Sequence, residues 1–175
     1  MSHSRPPLQV PVKGRAQKRN AAFRLVGNVV VVVHNAVAPT SEEWEQYIAT
    51  LFKACKLYGN DLSVCRQFVL TDGGGPNSAQ RAASLKAAEQ MPHSQLMPVA
   101  VVSSSTFVRG IVTAFNWFNM NLKAFSPQDV HKAISFLKID EPTVQAIYEE
   151  LTLIEHDIGP VETIQIVREA RKRRP

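Results

Sequence analysis

The chain is poor in the features that mark a membrane protein, a secreted scaffold or a metalloprotein. No apolar run approaches the roughly 20 residues that a spanning helix needs. The longest, Val29–Val33, is strand-sized and β-branched. The N-terminus is polar and basic without an apolar stretch, so it is not expected to act as a secretory signal. Cys55 and Cys65 are the only cysteines, too few for a disulfide scaffold. Reduced, partly buried thiols in the cytoplasm are the expectation. The five histidines, at 3, 34, 93, 131 and 156, show neither HxxxH nor any pairing with a CxxC, so no metal site is expected. There is no GxxxxGK[ST] loop of an ordinary NTPase and no Gly-x-Ser-x-Gly elbow. No motif implies a cofactor.

Acidic residues are scarce at both ends. Residues 1–24 carry Arg5, Lys13, Arg15, Lys18, Arg19 and Arg24 and no acid. Residues 168–175 carry Arg168, Arg171, Lys172, Arg173 and Arg174 against Glu169 alone. The body between holds nine basic and fourteen acidic residues, so the net charge of +5 comes from the ends. Such ends attract nucleic acid, an anionic surface or an acidic partner. The candidate contacts are Arg15, Lys18, Arg19, Arg171, Lys172, Arg173 and Arg174. Solubilising, disordered termini are the competing reading.

What is present suits one α/β domain with extensions: 175 residues, 45% of them apolar. Residues 1–20, with Pro6-Pro7, Pro11 and Gly14, lack periodicity and are expected to be a disordered basic tail. Residues 21–138 read as the domain, 139–170 as a C-terminal helical extension and 171–175 as a basic tail. A strand over Ala22–Val26 is joined by a tight Gly27-Asn28 turn to a strand over Val29–His34. The unbroken valines imply burial on both faces. Thr40 with Glu43 forms a capping box, and Trp44, Ile48, Leu51, Phe52 and Cys55 share one helical stripe.

Further strands are expected over Arg66–Thr71, Val99–Val102 and Leu122–Phe125. Asn77, with Gln80 at the third helical position, caps a helix that runs to Met91-Pro92-His93. Its core-facing residues are small: Ala79, Ala82, Ala83 and Ala87, with Leu85 the one large residue. Ser103-Ser104-Ser105-Thr106 opens a helix carrying Phe107, Val108, Ile111, Val112, Phe115 and Phe118. Ser126-Pro127 starts another, with Val130, Ile134 and Leu137 inward. Asp140-Glu141-Pro142 starts a helix with Val144, Ile147, Leu151 and Ile154 in period, and Val161, Ile164 and Val167 mark a last one. The fold class that follows is α/β. It has a mixed, mostly parallel five-stranded sheet, an antiparallel first strand, packed helices and two additional C-terminal helices.

This order resembles the SpoIIAA-like branch of the STAS/SEC14-like family. The residues that carry the likeness are the hairpin Phe23–Val33, APTSEEW at the start of the first helix and VLTDGGGP after the third strand. PVAVVSSSTFVRGIVTAF and LKAFSPQDVHKAISFL complete it, over about residues 22–138. The resemblance implies a non-enzymatic protein-interaction module that regulates a signalling or cytoskeletal assembly. In the anti-sigma-factor antagonists of that family, phosphorylation of a serine or threonine in a strand–helix loop is the switch. The corresponding place here is Asp72–Ser78, where Ser78 is the candidate phosphosite. The Asp-Ser-Ser-Gly type of sequence is absent there.

Two successive βα junctions place their turns on one carboxyl edge of the sheet, where ligands and partners dock in open α/β folds. Asp72, Gly73, Gly74, Gly75, Ser78, Ser104 and Arg109 are the candidate contacts for a protein partner or an anion. The glycine run brings backbone N–H groups close to a ligand, and Arg109 sits in a first helical turn, where the dipole disfavours a cation. A hydrolase reading of the same edge uses His34, Asp72 and Ser103–Ser105. Trp117, Phe118 and Met120 offer a patch for self-association, with burial in the core as the alternative.

Overall fold

A computed structural model describes residues 18–115 and 121–173. Arg5, Lys13, Arg15, Trp117, Phe118, Met120 and Arg174 lie outside the described residues, as do the side chains of Phe107, Ile111 and Phe115. The hairpin pairs β1 (Ala21–Val26) with β2 (Val29–His34), from Ala21 opposite His34 to Val26 opposite Val29. Gly27 supplies the left-handed turn residue at φ 55°. Asn28, expected to share that conformation, does not take a positive φ. Its side-chain amide instead donates to the Val64 carbonyl at 2.6 Å.

Strands β3 (Arg66–Thr71), β4 (Val99–Val102) and β5 (Leu122–Phe125) follow in parallel, in the order β1-β2-β3-β4-β5. The crossovers are α1 (Ser41–Leu57), α2 (Ser78–Ala88) and α3 (Thr106–Phe115). Each steps to the next neighbour in the same direction, so a common handedness puts these helices on one face. Then come α4 (Val130–Leu137), α5 (Glu141–Ile158) and α6 (Glu162–Lys172).

The valines of β2 alternate between two cores, which is the period of a strand buried on both sides. Val30 and Val32 pack with Trp44, Leu51 and Val112 on the α1–α3 side. Val29, Val31 and Val33 pack with Leu137, Leu151 and Ile164 on the other. Residues 139–170, which the sequence sets apart as an extension, thus share one core with the sheet. Full burial of such a side chain contributes roughly 1.5–3 kcal/mol.

Capping explains where most helices begin. The Thr40–Glu43 box starts α1, the Asn77–Gln80 box starts α2, and Asp140 accepts from Thr143 N–H to start α5. Ser126 does not cap as expected. Its hydroxyl donates to Asp129 at 3.0 Å, a 3-10 turn spans Pro127–Asp129, and α4 begins at Val130. Arg66 ends α4 from outside, donating to the Leu137 carbonyl at 2.8 Å, where a cation favours the helix dipole.

Two expected helix faces are corrected. On α1, Phe52 is 37% exposed and Tyr47 and Ala54 are buried with Trp44, Leu51 and Cys55. On α2, Ala79, Ala82 and Ala83 face solvent and Leu85 is 62% exposed, while Gln80 and Ala87 are buried. The helix also stops at Ala88, before Met91-Pro92. Polar contacts set its rotation: Gln80 donates to the carbonyls of Pro39 and Thr40, and the Trp44 indole donates to Gln80 O and Ser84 Oγ. With alanines on nearly every side, little apolar area opposes that choice.

Candidate functional site

The carboxyl edge gathers the ends of β2, β3 and β4 with the start of α6. Beyond β2, Asn35 turns the chain by accepting from the Val37 N–H at 2.8 Å. Beyond β3, the Gly73–Gly75 loop lies directly on that turn. Gly74 N–H donates to the Asn35 carbonyl at 2.9 Å. A Cβ on Gly74 would stand 2.3 Å from Asn35 O and 2.4 Å from Val37 O, so only glycine fits. Thr71 closes the loop: its hydroxyl donates to Gly74 O at 2.7 Å and accepts from Gly73 N–H at 3.1 Å.

The glycine amides were expected to face a ligand. That of Gly73 is instead taken by Thr71 within the loop, and that of Gly74 by the Asn35 carbonyl of the neighbouring turn. Gly75 is half-buried with open space around it, and Asn77 and Ser78 are exposed beside it. Ser78 is the first residue of α2.

Asp72 holds the start of α6. Its two carboxylate oxygens accept the N–H groups of Glu162 and Thr163, each at 2.8 Å. Val161, the residue in the N-cap position of α6, provides no side-chain cap. The sequence offers no signal for this contact, because its two ends are far apart in the chain. Thr71 O adds to it by accepting from the Thr163 hydroxyl at 3.0 Å and the Ser103 hydroxyl at 2.8 Å.

Beyond β4, Ser105 Oγ accepts from Val108 N–H and so caps α3. Arg109 reaches back to donate to the carbonyls of Ser103 at 2.6 Å and Ser104 at 3.0 Å. The conflict of a cation in the first helical turn is thus relieved in part by the chain itself. Ser104 is exposed.

His34, Asp72 and Ser103 share the edge without hydrogen-bonding one another. The His34 ring is 4% exposed and sits among aromatic groups, 6.1 Å from Phe23 and 6.2 Å from Trp44. Its Nδ1 has no hydrogen-bond partner among the described residues. Burial lowers its pKa to about 4, against a smaller opposing pull from Glu43. Glu43 is itself buried, accepting from the N–H groups of Asn20 and Thr40 at 2.7 Å. The Ser103 hydroxyl is buried and turned onto Thr71 O.

Of the candidate tail contacts, Lys18 and Arg19 lie at the foot of β1, where Arg19 donates to Gln46. Arg171, Lys172 and Arg173 lie at the end of α6, remote in sequence from the edge loops. No group of three or more His, Cys, Asp or Glu among the described residues is arranged to hold a metal ion. No helix among them is long and apolar enough to cross a membrane. Comparison of the chain with protein-family models, curated proteins and solved structures finds no match.

Proposed function

We propose that this chain is a non-enzymatic, STAS-like regulatory module of the cytoplasm, which meets a protein partner through the β3–α2 loop and the outer face of α2. One observation carries the reading: α2 is inverted, with Gln80 inward and Ala79, Ala82, Ala83 and Leu85 outward. Small side chains let another backbone come close, and Leu85 supplies apolar area. Exposed Ser78 stands at the positive end of the helix dipole, where a phosphate is favoured, so modification there would change the charge of the same rim. His34, Asp72 and Ser103 spend their polar atoms on separate contacts or on none, which favours binding over hydrolysis at this edge. The free, buried thiols of Cys55 and Cys65 suit a reducing compartment.

The test is affinity capture from the native cell, followed by reconstitution with the purified partner. Wild-type protein and protein lacking residues 1–17 are expected to bind it, and Ala83→Arg is expected not to. Binding that survives Ala83→Arg but needs the tails, and weakens steeply with salt, would move the function to the basic ends and to nucleic acid or an anionic surface. A second copy as the occupant of α2 would show as a dimer in light scattering, abolished by the same substitution.

A further inference from the structure

The charges of this chain are segregated. Residues 139–167 hold seven acidic residues and no lysine or arginine, and residues 1–19 hold five basic residues and no acid. Packing brings the two together. Lys18 lies over the turn between α5 and α6, where a Cβ on Gly159 would stand 3.9 Å from its Cδ and 3.5 Å from its Nζ. An ammonium at the end of α5 suits the helix dipole. It forms no ion pair with a described residue. Residues 1–17 therefore join the body at the carboxyl-terminal end of α5.

Beside that turn is an open groove of about 380 Å³ lined by Thr152, Glu155, His156 and Pro160. Leu153, 57% exposed, follows Thr152 on α5. Arg168 pairs with Glu155, and Arg24 with Glu150 and Asp157. Glu149 on α5 and Glu162 on α6 are exposed and form no ion pair with a described residue. From these observations we infer that the α5 face and its groove seat the chain's own N-terminal segment, residues 8–15. Leu8, Val10 and Val12 supply apolar side chains for Leu153 and the groove, and Lys13 and Arg15 supply cations for the acids left without one. The reach is short. Thr152 precedes Ile158, the last residue of α5, by six helical residues. That is about 9 Å, which about three extended residues cover. Nucleic acid or an acidic peptide is disfavoured on so acidic a face. The seat is separate from the outer face of α2 and does not rest on the role proposed for it.

The test uses the whole chain. Cys55 and Cys65 are buried, so a nitroxide attached through Gln9→Cys is selective. ¹H–¹⁵N spectra then report which amides it broadens. The expected result is broadening strongest at Thr152, Leu153 and Glu155, weakened several-fold by high salt. His156→Arg, an exposed substitution in the groove wall, is expected to reduce that broadening by about threefold, the scale of one exposed charge interaction. Val10→Asp combined with Val12→Asp is expected to reduce it several-fold from the other side, with the rest of the spectrum unchanged. Broadening that survives both sets of substitutions, or that centres on Asn20 and Asn35 with none at Thr152, overturns the assignment. So does broadening that arises only when labelled chain is mixed with unlabelled ¹⁵N chain, which gives the groove to the tail of a second copy.

Discussion

The Asp72 carboxylate caps the N–H of Thr163 at 2.8 Å, across 91 residues of sequence. The last helix therefore depends on the loop that follows β3. Removing the carboxylate in Asp72→Ala leaves the first amides of α6 without their acceptor. The expected loss is about 1–2 kcal/mol in denaturant unfolding, as for other caps. Hydrogen exchange at Glu162 and Thr163 is expected to speed up before that of the sheet, because α6 would open locally. Asp72→Asn keeps one acceptor and is expected to lose less.

Burial of His34 makes stability depend on pH. Its pKa is about 4 in the folded protein against an ordinary 6.5. Between those values the unfolded chain takes up a proton that the folded one refuses. Stability is therefore complete above about pH 6.5 and falls as the pH drops towards 4. The full difference is about 3 kcal/mol. Urea titrations at several pH values, on wild type and on His34→Phe, isolate the effect from the carboxylates. The difference between the two proteins is expected to shift steadily in favour of His34→Phe through that window. A constant difference would show that His34 does not carry it.

Gly74 and Gly110 are expected to respond oppositely to alanine. In Gly74→Ala the new Cβ meets the Asn35 and Val37 carbonyls at 2.3 and 2.4 Å, with backbone rather than a flexible side chain in the way. The expected cost is about 3 kcal/mol, from forced separation of the two edge loops. Gly110 is a helical residue of α3 with nothing within 4 Å of the new atom. Gly110→Ala is expected to stabilise by about 0.5–1 kcal/mol. Thermal melts of both variants measure this directly.

Ser78 probes the dipole at the start of α2. Ser78→Glu is expected to raise stability by about 0.3–1 kcal/mol at low ionic strength, and Ser78→Lys to lower it by a similar amount. Both effects are expected to shrink in high salt. If neither substitution changes the unfolding midpoint, a phosphate at Ser78 would act on a partner and not on the helix.

Much of the fold was legible because its signals are local. The valine run Val29–Val33 marks β2, and Leu122, Ala124 and Phe125 mark β5. The boxes at Thr40–Glu43 and Asn77–Gln80 each lie within four residues, so neighbouring residues alone specify them. The heptad-like pattern of Val144, Ile147, Leu151 and Ile154 shows the inward face of α5. The face of α2 was not legible. Alanines at 79, 82, 83 and 87 give almost no apolar asymmetry, and the deciding contacts come from Pro39 and Thr40, just before α1, and from Trp44 within it.

The edge divides in the same way. That Gly73–Gly75, Ser103–Ser105 and Asp72 share the carboxyl edge follows from successive parallel crossovers, and chain order shows it. How their polar atoms are used does not follow, because each buried donor and acceptor must be satisfied by whatever the fold brings near.

Local sequence specifies the strands, the antiparallel first strand, the starts of α1, α2 and α5 and the basic ends. Periodicity, β-branching and capping act over a few residues and are written into them. Only the packed fold brings Asp72 to α6, sets Gly74 under Asn35 and turns Ala79, Ala82 and Ala83 of α2 outward. Those are outcomes of packing between segments distant in the chain, where burial makes each unpaired polar group costly and leaves few arrangements that satisfy them.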